Sequence, residues 1–212
     1  MTRLLHTIAS TPPFSTSHSM PRKVAVIQGH PDSSRQHLCH ALADAYAEAA
    51  AQAGHEVSRV EIAHIEFPLL RTQEDFNSGT PPASLKPAVD TIVAADHIVL
   101  IFPLWLGTMP ALVKAFLEQV FRPGVAFTYE KTGVRKLLAG RSAHIIVTMG
   151  MPSWLYQTFF CGHGVRGLRR SVLKFAGFSP VRTTMFGMIE KASATTRSRW
   201  LETIRKNGAK GR

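Results

Sequence analysis

The stretch His97-Ile-Val-Leu-Ile-Phe-Pro-Leu104 is almost wholly apolar, and it is the segment that decides the fold. A short apolar run of this kind predicts a strand that is buried on both faces, as in a parallel sheet covered by helices. Similar runs over residues 23–28, 142–149 and 181–188 predict three more buried strands, and residues 56–62 alternate well enough for another. The sequence therefore predicts five strands, and residues 97–104 form the third.

Helical patterns separate the predicted strands. Residues 36–53 are rich in Ala and Leu, contain no Gly or Pro, and are followed by Gly54, the residue type most typical of a helix C-terminus. Four later segments also have helical patterns: 84–95, 110–121, 167–176 and 193–206. Residues 63–82 contain Pro, Gly and Asn and predict a long loop. Strands that alternate with helices predict a doubly wound α/β fold, with ligands at the carboxyl ends of the strands.

The length of 212 residues suits a single domain, which we place over residues 21–212. Residues 1–20 are rich in Ser, Thr and Pro and contain no acidic residue, so we expect a disordered or mis-assigned N-terminal extension. Cys39 and Cys161 match neither a disulfide framework nor a zinc motif, which predicts reduced thiols in a cytoplasmic protein without a metal site. No apolar run reaches the roughly 18 residues that a membrane span needs.

The positive charge is concentrated in the last quarter of the chain. Residues 163–212 carry 12 basic and 2 acidic side chains, whereas residues 24–162 carry 10 and 12. Such asymmetry is typical of contact with a nucleic acid, an anionic membrane surface or a phosphorylated cofactor, and also of solvated basic helices. The basic residues lack interleaved aromatic residues, which disfavours specific nucleic-acid binding. The sequence thus predicts a basic C-terminal helix without assigning its partner.

The loop after the first strand, Gly29-His-Pro-Asp-Ser-Ser34, joins a buried strand to a helix. A helix N-terminus offers unpaired N–H groups to a phosphate, and the hydroxyls of Ser33 and Ser34 and the ring of His30 add donors. The alternative is that Ser34 caps the helix and His30 packs in the turn. The loop lacks the G-x-G-x-x-G and G-x-x-x-x-G-K-[ST] patterns, so neither a dinucleotide fingerprint nor a P-loop is supported.

The loops after the third and fourth strands are rich in aromatic residues, Gly and Pro. Residues 102–110 (FPLWLGTMP) place Trp105 between two prolines, in a rigid loop suited to a flat aromatic ligand. Residues 148–156 (TMGMPSWLY) and the CGHG that follows can close over the other edge of that ligand, with Tyr156 and His163 as hydrogen-bonding or proton-transferring groups. The alternatives are an ordinary core Trp105, and surface or hinge positions for Tyr156 and His163.

These segments together resemble the flavodoxin-like NAD(P)H dehydrogenase (quinone) family, which includes quinone reductases and ancillary subunits of bacterial potassium-efflux systems. The matching segments are VAVIQGHPDSS (24–34), ADHIVLIFPLWLGTMPALVKAFLEQVF (95–121), Phe127-Thr128-Tyr129, GHG (162–164) and LKFAGF (173–178). The most telling part is F-P-L-x-x-x-x-x-P-A-x-x-K over residues 102–114. The resemblance implies a flavodoxin-like doubly wound sheet of five parallel strands in the order 2-1-3-4-5.

The resemblance also implies roles for individual residues. Four residues near the first loop lie where the family binds the phosphate and ribityl chain of FMN: His30, Ser34, Gln36 and His37. Residues of the second and third loops lie where it holds the isoalloxazine ring: Pro103, Leu104, Trp105, Leu106, Gly107, Thr148, Met149, Gly150 and Met151. Tyr156 and His163 match positions that are proposed, in the quinone reductases, to stabilise charge during hydride transfer.

The implied function is an FMN-dependent NAD(P)H oxidoreductase that passes a hydride to a quinone or similar small acceptor by a ping-pong cycle, with FAD as the alternative flavin. A homodimer is implied, because the family completes its pocket with residues from a second subunit. The alternative is a regulatory ancillary subunit of a membrane transporter of the potassium-efflux type, with its basic region on an acidic partner or a membrane. A one-electron carrier is a third hypothesis, which the pI of about 10.3 disfavours.

Overall fold

The structure is a computed structural model that describes residues 20–212, so the predicted extension, except for Met20, lies outside the described residues. Within residues 20–212, seven strands form a five-stranded sheet and a two-stranded sheet. The strands are β1 (Lys23–Gln28), β2 (Glu56–Glu61), β3 (His97–Pro103), β4 (Phe127–Glu130), β5 (Gly133–Lys136), β6 (Ser142–Thr148) and β7 (Val181–Phe186).

The larger sheet is parallel throughout, and its strand order is β2-β1-β3-β6-β7. Because β6 and β7 are the fourth and fifth strands of this sheet along the chain, the predicted order 2-1-3-4-5 is confirmed. Every residue of β3 and of β6 is buried. These two strands therefore lie at the centre of a sheet that is covered on both faces, as their apolar sequences predicted.

Helices follow the strands in the chain and cover the sheet. They are α1 (Leu38–Gln52), α2 (Gln73–Ser78), α3 (Lys86–Ala94), α4 (Ala111–Val120), α5 (Ser153–Thr158), α6 (His163–Gly167), α7 (Lys174–Ala176) and α8 (Ala194–Ala209). A π-helical segment, Leu168–Leu173, joins α6 to α7, so residues 163–176 form one continuous helical run.

Alternate residues of the central strand face opposite layers of helices. Leu100 and Phe102 belong to a core on the side of α3, α4 and the 163–176 run, whereas Val99 and Ile101 face α1 and α8. The contact between α1 and α8 is close at Gly208, where a Cβ atom would lie 2.5 Å from the carbonyl oxygen of Tyr46. No helix within residues 20–212 has the length and apolarity that a membrane crossing needs.

The structure differs from the sequence-based expectation at several helices. The first helix begins at Leu38 instead of residue 36, because the preceding residue, His37, has an extended backbone (φ −112°, ψ 165°). The predicted loop over residues 63–82 contains α2, whose N-cap residue Thr72 accepts a hydrogen bond from the Asp75 N–H (3.0 Å). The helix predicted over residues 167–176 starts four residues earlier, at His163.

The hairpin of β4 and β5 was not predicted from the sequence. Its strands are antiparallel, and all positions of β5 are exposed, so this segment lacks the apolar signal that revealed the buried strands. Phe127 anchors the hairpin in the core, while the neighbouring Tyr129 side chain is 64% exposed. The hairpin therefore extends an aromatic surface beyond the edge of α4.

Candidate functional site

Three loops meet at the carboxyl edge of the sheet, and backbone hydrogen bonds connect them. The Gly29 N–H donates to the Ile101 carbonyl (2.7 Å), which ties the first loop to β3. The Leu104 N–H donates to the Thr148 carbonyl (2.7 Å), which ties the second loop to the start of the third. The predicted meeting of these loops is therefore a consequence of the order β1-β3-β6 in the sheet.

Asp32 organises the first loop. Its carboxylate accepts hydrogen bonds from the N–H (2.9 Å) and the hydroxyl (2.5 Å) of Ser34, and it lies 2.7 Å from Nε2 of His37. These hydrogen bonds, the Ser34 side chain first, hold the pKa of Asp32 well below its usual range. Ser34 therefore shapes the loop instead of capping α1, since the N-cap position belongs to His37.

Three imidazole rings lie against one another beside this loop. The rings of His30 and His37 stack with their centroids 3.8 Å apart, and the ring of His40 is 5.5 Å from that of His30. Burial, and then the electrostatic effect of the neighbouring His37, lower the pKa of His30 to about 4. Burial lowers the pKa of His40 as well. At neutral pH His30 is therefore a neutral ring that offers one donor and one acceptor.

The His30 ring is held by the backbone of Asp32. Nδ1 lies 3.1 Å from the Asp32 backbone nitrogen and 3.3 Å from its carbonyl oxygen. The centroid of the His30 ring is also 6.2 Å from that of the Trp105 ring in the second loop. His30 thus lies between the polar first loop and the apolar second loop, with an N–H donor.

The second loop is a tight turn over residues 105–108. Trp105 and Thr108 exchange backbone hydrogen bonds of 2.9 and 3.0 Å, and both central residues have positive φ angles, 48° at Leu106 and 78° at Gly107. This is the pattern of a type I′ turn, in which a non-glycine residue is unfavourable. The Leu106 side chain is fully exposed and that of Trp105 is 48% exposed. The turn therefore presents two large apolar side chains at the sheet edge.

The buried Tyr156 side chain holds this turn in place. Its ring is buried, its hydroxyl donates to the Gly107 carbonyl (2.9 Å), and the same oxygen accepts a hydrogen bond from the Val165 N–H (3.2 Å). Gly164 packs so closely that a Cβ atom would lie 2.4 Å from the Gly107 carbonyl oxygen. The observed contacts of Tyr156 are thus positional, while His163 is exposed at the start of α6. Catalytic roles for Tyr156 and His163 stay predictions.

The third loop begins under α1. Thr148 is buried, and its hydroxyl lies 3.2 Å from the Cys39 sulfur in the first turn of α1. Burial raises the pKa of Cys39 to about 12, so this thiol stays protonated and packs as a small apolar group. Met149 is buried, Met151 is half-buried and Gly150 is exposed. Of the predicted ring-contact residues in this loop, Gly150 and Met151 therefore reach the surface.

The structure brings most of the predicted site residues to one edge. Trp105, Leu106 and His30 lie together there, whereas Gln36 is exposed in the loop before α1. The sequence did not single out Asp32 or His40, although both lie within twelve residues of the first strand. It also missed Gln28, whose amide nitrogen Nε2 is buried at the end of β1 without a hydrogen-bond partner among residues 20–212.

A parallel sheet with two apolar side chains, a polar loop and a helix N-terminus at its carboxyl edge defines a ligand-binding α/β protein of the doubly wound class. The model of the family described as having a flavodoxin-like fold matches residues 22–207. The chain belongs to this family, and the resemblance inferred from the sequence is confirmed.

Three individual proteins that match this chain share between 26% and 38% sequence identity with it. The chain is 26% identical over 181 residues to an uncharacterized NAD(P)H oxidoreductase of Haemophilus influenzae, a match that covers 84% of this chain and 89% of the relative. It is 38% identical over 61 residues to FMN-dependent NADH:quinone oxidoreductase 2 of Pseudomonas fluorescens, covering 29% and 31% of the two chains. The crystal structure of Smu.1420 from Streptococcus mutans UA159 has a TM-score of 0.74 and 26% identity, covering 88% of this chain and 98% of that one.

Removing the Tyr156 hydroxyl should destabilise the protein. The variant Tyr156→Phe leaves the Val165 N–H and the Gly107 carbonyl without their partner, so we expect the free energy of unfolding to fall by about 1–3 kcal/mol in urea titrations. Ser198→Ala is the control, because that hydroxyl is on an exposed side chain of α8, and we expect a change within about 0.5 kcal/mol. Equal losses in both variants would contradict the positional role.

The lowered pKa of His30 predicts a pH dependence of stability. Between pH 6.5 and about 4, the unfolded chain takes up a proton at this residue that the folded chain does not, so stability falls as the pH falls through this window. His30→Gln should reduce the slope of unfolding free energy against pH there, as measured by urea titration from pH 8 to pH 4, while the buried His97 and His144 maintain the remaining slope. A His30→Gln curve with the slope of the wild-type protein would refute the assignment.

Proposed function

We propose that this protein is an FMN-dependent NAD(P)H oxidoreductase, which moves two electrons as a hydride from NAD(P)H to a quinone or a similar small acceptor. The observation that carries the proposal is the convergence of three loops at one sheet edge, where the Trp105–Leu106 turn lies against the His30 loop. Relatives named as NAD(P)H and FMN-dependent NADH:quinone oxidoreductases support the same assignment.

The chemistry of the residues at this edge fits FMN. The phosphate requires hydrogen-bond donors, and the first loop offers the Ser33 hydroxyl and the neutral His30 ring. The Asp32 carboxylate in the same loop is directed to Ser34 and His37. The flat ring system requires an apolar wall with a few polar groups, and Trp105 and Leu106 are exposed as such a wall. The buried Nε2 of Gln28 adds an amide donor without a partner among the described residues. We infer that these groups hold the cofactor.

When bound, the flavin supplies the electron-accepting and electron-donating chemistry. The protein contributes position: Trp105 and Leu106 orient a planar group, and the hydrogen bond from Tyr156 keeps their turn in place. Backbone N–H groups of the second and third loops without a partner in the fold would favour negative charge on the bound group. Nicotinamide and acceptor occupy the same exposed apolar face in turn, which gives ping-pong kinetics.

Within this proposal His163 is the residue that exchanges a proton with the substrate, because it is exposed at the start of α6. Tyr156 acts through Gly107, since its hydroxyl already donates to the carbonyl of that residue. These roles differ from a mechanism in which the side chains of Tyr156 and His163 both contact the reacting ring. It follows from the burial of Tyr156 and the exposure of His163.

Measurements of FMN binding and of NAD(P)H oxidation by the purified protein test this proposal. Purified protein should bind FMN with a yellow colour and release it on denaturation, and it should oxidise NADH or NADPH steadily in the presence of menadione. Initial rates measured at several concentrations of both substrates should give the parallel reciprocal plots of a ping-pong mechanism. Flavin binding without turnover would overturn the enzymatic assignment, and failure to bind FMN would overturn the site itself.

Trp105 offers a sharper test of the site. Trp105→Ala removes the aromatic wall, which is worth about 1–1.5 kcal/mol, so we expect the Kd for FMN to rise about tenfold in fluorescence titrations. Leu69→Ala is the control, because Leu69 is an exposed apolar residue outside the three loops. An unchanged Kd in Trp105→Ala, or an equal rise in Leu69→Ala, would argue against the proposed position of the ring.

We also propose that the protein acts as a homodimer. An apolar cavity of about 230 Å³ opens between α4, the β4–β5 hairpin and α7, and its walls include Phe121, Phe127, Tyr129 and Phe175. Tyr129 and Phe175 are partly exposed there, although large aromatic side chains favour burial. The family resemblance of the Phe127-Thr128-Tyr129 segment favours a second copy of this chain as the occupant.

Sedimentation velocity tests the dimer. A chain of 23.3 kDa should sediment as a particle of twice that mass at micromolar concentration. Phe175→Asp places a charge in the apolar groove and should shift the particle to the monomer, whereas Leu69→Asp, an exposed site outside the groove, should not. A monomeric wild-type protein, or a dimer that Phe175→Asp leaves intact, would overturn the proposed interface.

A further inference from the structure

A second cavity lies at the opposite edge of the sheet. It has a volume of about 320 Å³ and is bounded by the amino ends of β3, β6 and β7, with polar walls from Arg22, His97, Ser142, Arg182 and Arg212. Since β3 has seven residues at about 3.3 Å each, about 20 Å separates this edge from the three loops. We call this space the amino-edge cavity. It is too far away to belong to the site described above.

Three arginines line the amino-edge cavity without a matching negative charge. None of Arg22, Arg182 and Arg212 forms an ion pair within residues 20–212, although eleven other pairs are present in that part of the chain. The side chain of Asp96 is turned to the backbone instead, since it accepts a hydrogen bond from the Lys23 N–H (2.8 Å). No acidic side chain of the described residues therefore pairs with these three arginines.

Arg22 is held rigidly in this wall. Its guanidinium group donates to the carbonyl oxygens of Gly211 (2.8 Å) and Asp96 (2.9 Å) and to the hydroxyl of Ser142 (3.0 Å). These bonds join the start of β1, the start of β6 and the end of the chain around the cavity. A binding group that is fixed in advance loses little entropy when a ligand arrives.

The neighbouring His97 connects the cavity wall to the core of the sheet. An arginine can only donate, so Ser142 Oγ accepts the bond from Arg22, and the same oxygen lies 2.8 Å from Nδ1 of His97. The His97 side chain is 1% exposed, and its Nε2 has no partner among residues 20–212. Arg22, Ser142 and His97 therefore form one connected polar group in the wall of the cavity.

The arginines of the cavity lower the pKa values of two buried histidines, in addition to the effect of burial. Burial and then Arg22 lower the pKa of His97 to about 3, with further contributions from His144 and Arg182. Burial and then Arg182 lower the pKa of His144 to about 4. The ring of Tyr46 in α1 packs beside both histidines, with its centroid 6.3 Å from the ring of His97 and 6.3 Å from that of His144. No acidic side chain contributes to either shift, which agrees with an uncompensated positive site.

We propose that the amino-edge cavity binds a small phosphate anion, either free phosphate or the phosphate group of a small ester. Guanidinium groups match the oxygens of phosphate in charge and in geometry, and Arg182 and Arg212 have no side-chain hydrogen bond within the described residues that would compete. The volume lies at the lower end of the range for small-molecule pockets, which leaves room for a phosphate and a short organic group. This ligand is separate from the flavin and its substrates.

Calorimetry and thermal unfolding of the full chain test the proposal. The protein is first saturated with FMN, so that added phosphate does not report on the three loops, and ionic strength is held constant with sodium chloride. Inorganic phosphate and ribose 5-phosphate are titrated separately, which distinguishes free phosphate from an ester. With ligand at about 100 times its Kd, we expect Tm to rise by roughly 5 °C for at least one of them.

Two double variants localise the site. Arg182→Gln with Arg212→Gln should weaken phosphate binding at least about tenfold and reduce the Tm shift to about half or less at the same ligand concentration. Arg169→Gln with Arg170→Gln removes the same charge from exposed positions of the π-helical segment, and binding should persist. The proposal is overturned if neither ligand raises Tm in the wild-type protein, if the first double variant binds like the wild type, or if both double variants lose binding equally.

Discussion

The pairing of β3 with its two neighbours is the constraint on which the rest of the molecule depends. Because β1, β3 and β6 are adjacent and parallel, the three segments that leave their carboxyl ends start within hydrogen-bonding distance of one another. The same pairing places Arg22, His97 and Ser142, which lie at or next to the amino ends of these strands, around one cavity. The pairing of these strands therefore determines both edges of the sheet. The carboxyl edge carries an apolar turn, and the amino edge carries a group of arginines.

Burial keeps the histidines at both edges neutral, and a different neighbouring group adds to its effect at each edge. His30 is shielded by burial and by a stacked imidazole, so its loop offers hydrogen bonds instead of a fixed positive charge. His97 is deeper, and the arginines beside it add to the effect of burial. At the edge with the three loops, the charged group is the Asp32 carboxylate, whose hydrogen bonds hold the first loop in place. At the amino-edge cavity, the charged groups are guanidinium groups, which are permanent cations.

The sequence predicted the parts of the molecule whose signal is local. Continuous apolar runs such as residues 97–104 marked the buried strands, and the strand–helix alternation led to the sheet order. The sequence failed where structure depends on contacts across the fold: β5 has no apolar pattern, and α1 starts late because His37 caps it. The role of Tyr156 was hidden for the same reason, since its partner Gly107 lies 49 residues away.

The close approach of Gly164 to the Gly107 carbonyl restricts how this protein can diversify. Any side chain at position 164 would push the turn away from α6, and a displaced turn would no longer meet the Tyr156 hydroxyl. Sequence changes at these positions are therefore coupled: descendants of this chain can alter residue 164 only together with a rebuilt 104–109 loop. New specificities in this lineage should arise by exchanging that loop and the start of α6 as one module.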